Sequence, residues 1–258
     1  MNYELSILDD WFRVNKLSLN VGKSNYMLFT NYRTLSTTKP LNIGSAIIEK
    51  KQCVKLLGMH LDDKMTWNTH INICKSKISS SIYAIKRLKH ILPKSYLRTL
   101  YFTMVHPYLT YGIAIWGATY NVHRNKLFIL QKRIIRIISG AKYNDHTSPL
   151  FQKLHILKLD DIYTVQAAKF VFKYKQNALP LPLQSLFMSN SDIHQRITRQ
   201  SQDLHVKKCR TTLATHHITC KGPQIWNSLP NYIKSMSGET VNKFTSMLST
   251  HIIQQYSH

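Results

Sequence analysis

Apolar residues recur along this chain at two different periods, and the change between them falls near Thr66. Before that point the first pattern is helical. Leu5, Leu8, Trp11 and Phe12 lie at helical spacing and predict an amphipathic helix over Asn2 to Asn15. Lys16 to Gly22 is a turn-rich connection. Tyr26 to Thr30 reads as a short apolar strand, and Leu41-Asn42-Ile43 and Ala46-Ile47-Ile48 flank Gly44-Ser45 as a hairpin. Val54 to Leu61 reads as a further strand, interrupted by Gly58.

From Thr66 onward the period is that of helices. Trp67, Ile71, Cys74, Ile78, Ile82 and Ile85 recur at spacings of three and four, with Thr66 placed to cap. Pro93 opens the next helix, which carries Leu97, Leu100, Tyr101 and Met104 inward. Another is expected over Arg124 to Ser139, stopped by Gly140, with Leu127, Leu130, Ile134 and Ile138 as its apolar stripe. Asp160 to Gln176 predicts a fourth, ended by Pro180 and Pro182. Ser189 to His217 is polar and is expected to be extended or loosely ordered. Gly222-Pro223 precedes what reads as an apolar turn, Ile225 to Pro230. A last helix is expected over Glu239 to Gln254, with Phe244, Met247, Leu248 and Ile252 inward.

One stretch asks whether a membrane is involved. Thr99 to Val122 holds no Lys, Arg, Asp or Glu and is long enough to span a bilayer. His106, Pro107, Gly112, Gly117 and several threonines and tyrosines argue instead for a buried helix broken near Pro107.

Charge changes the picture more than composition does. Lys and Arg number 35 against 12 Asp and Glu, a formal net charge of +23. The imbalance is spread along the whole chain and suits a polyanion, RNA or DNA, whose condensed counterions are released on binding. On the predicted helices the basic positions are Lys75, Lys77, Lys86, Arg87 and Lys89, then Lys126, Lys132, Arg133 and Arg136. Tyr83, Tyr96 and Tyr101 lie near them at spacings that match packing better than base stacking. Cys53, Cys74, Cys209 and Cys220 form no CxxC pair, and no secretory signal opens the chain, so an intracellular setting, nucleus or cytoplasm, is expected. Cys209, His216, His217 and Cys220 do not have the spacing of a structural zinc site.

Four stretches together carry a family resemblance. Trp11-Phe12-Arg13-Val14-Asn15-Lys16-Leu17-Ser18-Leu19-Asn20-Val21-Gly22-Lys23-Ser24 resembles the W-x-x-x-N-x-L-x-L-N-x-x-K-[TS] segment of LINE-type (non-LTR) reverse transcriptases, especially the jockey-like group. Val54-Lys55-Leu56-Leu57-Gly58-Met59-His60-Leu61-Asp62, followed by Trp67 and His70-Ile71, resembles the primer-grip hairpin and the start of the thumb. Ile113-Ala114-Ile115-Trp116-Gly117, with Gln131 to Ile138, is similar to the thumb that follows, and Lys221 to Pro230 matches a block of the same open reading frames.

The resemblance implies an α+β fold, mostly helical. It would comprise a palm remnant with small antiparallel hairpins (1–63), a helical thumb-like domain (64–180) and a mixed C-terminal tail with a terminal helix (181–258). It also implies that the metal-binding carboxylates belong to palm and fingers lying before this chain, and that the intact parent polymerase uses Mg²⁺. Asp9-Asp10, Asp62-Asp63 and Asp160-Asp161 are adjacent pairs, and neighbouring side chains on a helix diverge by about 100 degrees, so no metal or catalytic residue is expected here. By the same resemblance Lys23 is phosphate-proximal, and Leu56, Leu57 and Gly58 are primer-grip-like. The expected function is therefore a reverse-transcriptase fragment, inactive alone. The alternatives are a non-catalytic nucleic-acid-binding protein derived from the element and a non-functional pseudogene product.

Overall fold

The computed structural model describes residues 1–29, 39–193 and 200–257. Thr30, the expected end of the first strand, and Arg196, within the polar segment, lie outside them. Compactness divides the chain into Met1–His70 and Ile71–His258.

In the first unit, α1 (Asn2–Val14) forms as its periodicity predicts, with Arg13 3.1 Å from Asp9 and 3.7 Å from Asp10. Its apolar stripe is not an inward face of this unit. Leu5 and Phe12 are half-buried, while Leu8 is 39% and Trp11 53% exposed. Short strands follow: β1 (Asn25–Tyr26), β2 (Asn42–Ile43), β3 (Ala46–Ile47) and β4 (Glu49–Lys50). Of the expected strand over Tyr26 to Thr30, only Tyr26 is in a strand among the described residues, within β1, which pairs with β4 in parallel, whereas β2 and β3 form the expected antiparallel hairpin. Asn2 ties the helix to it, donating from Nδ2 to the Pro40 carbonyl and accepting from the Asn42 N–H.

The run from Val54 to Leu61 is a hairpin of two strands rather than one interrupted strand. β5 (Cys53–Leu56) and β6 (Met59–Asp62) pair antiparallel. Leu57 and Gly58 both have positive φ, 47° and 82°, the left-handed pair that matches strand twist in a two-residue turn. Asp62 then closes the strand: Oδ1 accepts from the Thr66 N–H at 2.8 Å and Oδ2 from the Trp67 N–H at 2.7 Å.

Thr66 Oγ1 accepts from the Asn68 N–H at the start of α2 (Asn68–Leu88), the capping role expected of it. In the second unit Ile71, Cys74, Ile78, Ile82 and Ile85 form the buried stripe of α2. The uncharged stretch is broken into three pieces, α3 (Lys94–Met104), α4 (His106–Thr110) and α5 (Ile113–Trp116). Pro107 opens α4, and Gly112 turns with φ of 64° before α5. No helix among the described residues is long and apolar enough to cross a membrane. α6 (Asn121–Ser139) ends where Gly140 takes φ of 71° and the Ala141 N–H bonds back to the Arg136 carbonyl. After α7 (Ser148–Lys153), which the pattern did not predict, α8 (Leu159–Lys175) runs through the core, apolar on most sides.

Beyond it, α9 (Asn190–Ile193) and α10 (Thr212–Thr215) are single turns in the polar segment, where Ser189 bridges to Leu204. Gly222 and Pro223 do not precede a turn but lie inside α11 (Ile218–Ser228). Gly222 is there for close approach: an added Cβ would lie 3.1 Å from Val171 of α8. α12 (Asn231–Lys234) leads to α13 (Val241–Gln254), capped by Thr240. Phe244 stacks on Phe172 of α8 at 4.2 Å between centroids, and Trp226 lies 6.0 Å from Phe244. Phe244, Leu248 and Ile252 are inward as expected. Met247 is not, at 42% exposure, because the buried stripe drifts toward Ile253.

The first unit rests on two- and four-residue strands and a few buried side chains, chiefly Ile43, Ile48, Met59 and Trp67. Native-state hydrogen exchange is therefore expected to show fast amides across Tyr26 to Leu61, where described, and slow ones across Ile71 to Ile138; the reverse order contradicts this.

Gly117 supplies a sharper test. A Cβ there would come within 2.5 Å of both the Ile113 carbonyl and the Tyr163 ring. Gly117→Ala should cost at least about 1–3 kcal/mol in urea unfolding by overpacking. Gly238→Ala, which meets nothing within 4 Å, should stay within about 0.5 kcal/mol of the parent.

Candidate nucleic-acid interface

Two helices of the second unit bring basic side chains together. On α2, Lys75 and Lys86 share one edge beside the buried stripe, since eleven residues at about 100 degrees each return almost to the same azimuth. On α6, Lys126, Arg133 and Ile137 share the corresponding edge. Lys126 Nζ donates to Asn72 Oδ1 at 3.3 Å near the start of both helices. Toward their ends lies a groove of about 500 Å³, lined by Lys86, Lys89, Arg133 and Arg136 together with Ile129, Leu130, Ile137, Gly140, Ala141 and Tyr143. No carboxylate lines it among the described residues.

The far wall is held by a turn. The Asp145 N–H bonds to the Lys142 carbonyl, and Asp145 Oδ2 accepts from the Lys142 N–H at 2.7 Å. Arg136 Nε donates to the Asp145 carbonyl at 3.0 Å, tying the turn to α6. These bonds present Tyr143, 85% exposed, at the turn's tip.

Thus Lys86, Lys89, Arg133 and Arg136, singled out as basic helix positions, converge. The others do not. Lys77 and Arg87 point off the far side of α2, with the Arg87 guanidinium 5.9 Å from the Tyr83 ring, and Lys132 lies over Phe128 at 4.4 Å. Lys75 is exposed on the same edge of α2 as Lys86 but outside the groove. Tyr101 is fully buried and packs; Tyr83 and Tyr96 are exposed, at 64% and 62%. Tyr143 and Ile129 were missed, the first because an isolated turn residue has no periodicity, the second because an apolar residue in a helix reads as core.

In the first unit Lys23 ends an exposed turn, Val21–Lys23, its N–H bonded to Asn20 Oδ1. Leu56, Leu57 and Gly58 form the tip of the β5–β6 hairpin, where Leu57 is 78% exposed.

The acidic pairs are engaged locally. Asp160 pairs with Arg124 at 2.7 Å, and Asp161 accepts a hydrogen bond from the Tyr256 hydroxyl. Among the described residues no group of three or more His, Cys, Asp or Glu side chains converges.

Against this geometry stand three curated proteins. The RNA-directed DNA polymerase from mobile element jockey of Drosophila melanogaster is 26% identical over 208 residues, 78% of this chain and 22% of that protein. The chain is similar to RNA-directed DNA polymerases of mobile elements. The corresponding jockey polymerase of Drosophila funebris is 27% identical over 64% of the chain. The probable RNA-directed DNA polymerase from transposon X-element of Drosophila melanogaster is 23% identical over 62% of it. The chain covers only 18% of each of these last two polymerases. No family model and no solved structure matches the chain.

Burial holds the Asp161 carboxyl above its ordinary range, with the Tyr256 hydrogen bond pulling the other way. A carboxyl raised on folding contributes stability at low pH that is lost as pH rises through its folded value. Asp161→Asn is therefore expected to gain on the parent in thermal stability between acid and neutral pH. A difference that moves the other way overturns this assignment.

Proposed function

We propose that this chain is a nucleic-acid-binding portion of a retrotransposon RNA-directed DNA polymerase, gripping phosphate backbones through the helical unit and not itself transferring nucleotides. The observation that carries the reading is the groove between α2 and α6, where four cations converge with no carboxylate among them. The similarity to mobile-element polymerases supports the same partner class. In this reading the helical unit is the thumb, and the Leu57 hairpin tip is the primer grip. The carboxylates and Mg²⁺ of the parent enzyme are supplied by other segments. A binding protein derived from the element would share the grip, whereas a non-functional product of the same charge would bind without depending on the groove residues in particular.

Backbone binding has a measurable signature. The logarithm of affinity should fall linearly with the logarithm of salt, by about 0.7 to 0.9 per phosphate neutralised. Lys86→Glu, Lys89→Glu and Arg133→Glu together should weaken binding across all sequences and flatten that slope, since phosphate contacts carry no base information. Lys77→Glu with Arg87→Glu, away from the groove, should do less. Circular dichroism checks that each variant is folded. Unchanged affinity in the folded groove variant removes the grip from this surface. Template-dependent nucleotide incorporation by the 258-residue chain, abolished by EDTA, contradicts the second half of the proposal.

A further inference from the structure

The groove holds more than a backbone needs. A duplex offers phosphates on its outside and keeps its base faces stacked, so four cations alone would serve it. Yet Ile129 is 63% and Tyr143 85% exposed along the same groove, an apolar face with an aromatic ring among the cations. Positive charge beside an exposed aromatic is the combination that binds single strands: cations follow the phosphates while a base covers the ring. Tyr143 is also held ready. Its turn is closed by Lys142 and Asp145 and fastened to α6 through Arg136, so little ordering is lost when a base arrives.

We infer that this groove is a single-strand site, in which Lys86, Lys89, Arg133 and Arg136 hold the phosphates of an unpaired nucleotide segment and Tyr143 stacks on one of its bases. This rests on the proposed nucleic-acid-binding role and specifies its substrate: unpaired RNA or DNA rather than duplex. The bond from Arg136 Nε to the Asp145 carbonyl couples the two halves of the site, one side chain serving both the cationic wall and the turn that carries the ring.

The test measures fluorescence anisotropy of a labelled oligothymidylate and an oligouridylate of about a dozen nucleotides, and of a duplex of the same length, with the full chain. The single strands are expected to bind more tightly than the duplex. Tyr143→Ala should weaken single-strand binding roughly 10-fold with an unchanged salt slope, because a stacked base releases no counterion. Tyr143→Phe should retain the parent affinity. Tyr143 is exposed, so neither change touches the core. If Tyr143→Ala binds single strands like the parent while the Lys86, Lys89 and Arg133 charge reversal still weakens binding, the backbone grip stands and the stacking inference falls. Tighter binding of duplex, or competition by polyglutamate as effective as by the oligonucleotides, also overturns it. A parent chain that binds none of the three probes removes the proposed function itself.

Discussion

One buried amide sets how α6 lies in its unit. Gln131 is fully buried, and its Nε2 donates to the Tyr101 hydroxyl and to the Leu157 carbonyl, each at 2.9 Å. Its Oε1 accepts from the Leu159 N–H at 2.9 Å. Three elements therefore meet on one side chain: α3, α6 and the first turn of α8. Leaving such groups unpaired in the interior would cost about 1–3 kcal/mol each, so the rotation of α6 is tightly specified. With Gln131 turned inward, Arg133 falls on the edge toward α2 and Lys132 on the other. The groove is a consequence of that rotation.

The charge imbalance becomes sharper in three dimensions. The 12 acidic residues are largely spent on local structure. Asp62 closes β6 onto the start of α2, and Asp145 closes the Tyr143 turn. Asp192 accepts from the Ser189 N–H, Asp203 lies 3.5 Å from Lys234, and Glu239 pairs with Lys243. These carboxylates serve as turn acceptors or as partners of a nearby lysine. No carboxylate lines the groove where Lys86, Lys89, Arg133 and Arg136 meet, and there their field adds instead of cancelling.

The helices were legible where packing and periodicity agree. Ile71 to Ile85 and Leu127 to Ile138 face inward as their spacing requires, because one side of each helix meets a core. The strands were less legible. Two-residue pairs such as β1 with β4 carry no alternation, and Leu57-Gly58 looks like a break in one strand until both residues prove to have positive φ. Pro223 within α11 misleads for a related reason. A proline removes one helical hydrogen bond, but the neighbouring Gly222 lets α11 settle against Val171 of α8, and packing outweighs propensity. The basic residues of the candidate site were legible as types but not as a set. Whether Arg133 or Lys132 faces α2 depends on Gln131 and its partners about thirty residues away in either direction, which no local pattern contains.

Two of the stretches that resemble LINE-type reverse transcriptases, those around Gly117 and Trp226, are packing devices of the helical unit. Gly117 leaves no room for a side chain against Tyr163. Trp226 joins the Phe172 and Phe244 stack, and Asn227 clamps the Leu204 backbone, accepting from its N–H at 3.0 Å and donating to its carbonyl at 2.8 Å. These positions demand particular shapes. The cations of the groove demand only charge and reach, which lysine or arginine can supply at several neighbouring positions, and Tyr143 demands only a flat exposed ring. Resemblance at the packing positions therefore bears on the fold, while binding depends on the solvent-facing edges of α2 and α6, where the physical requirement leaves the weaker mark on the sequence.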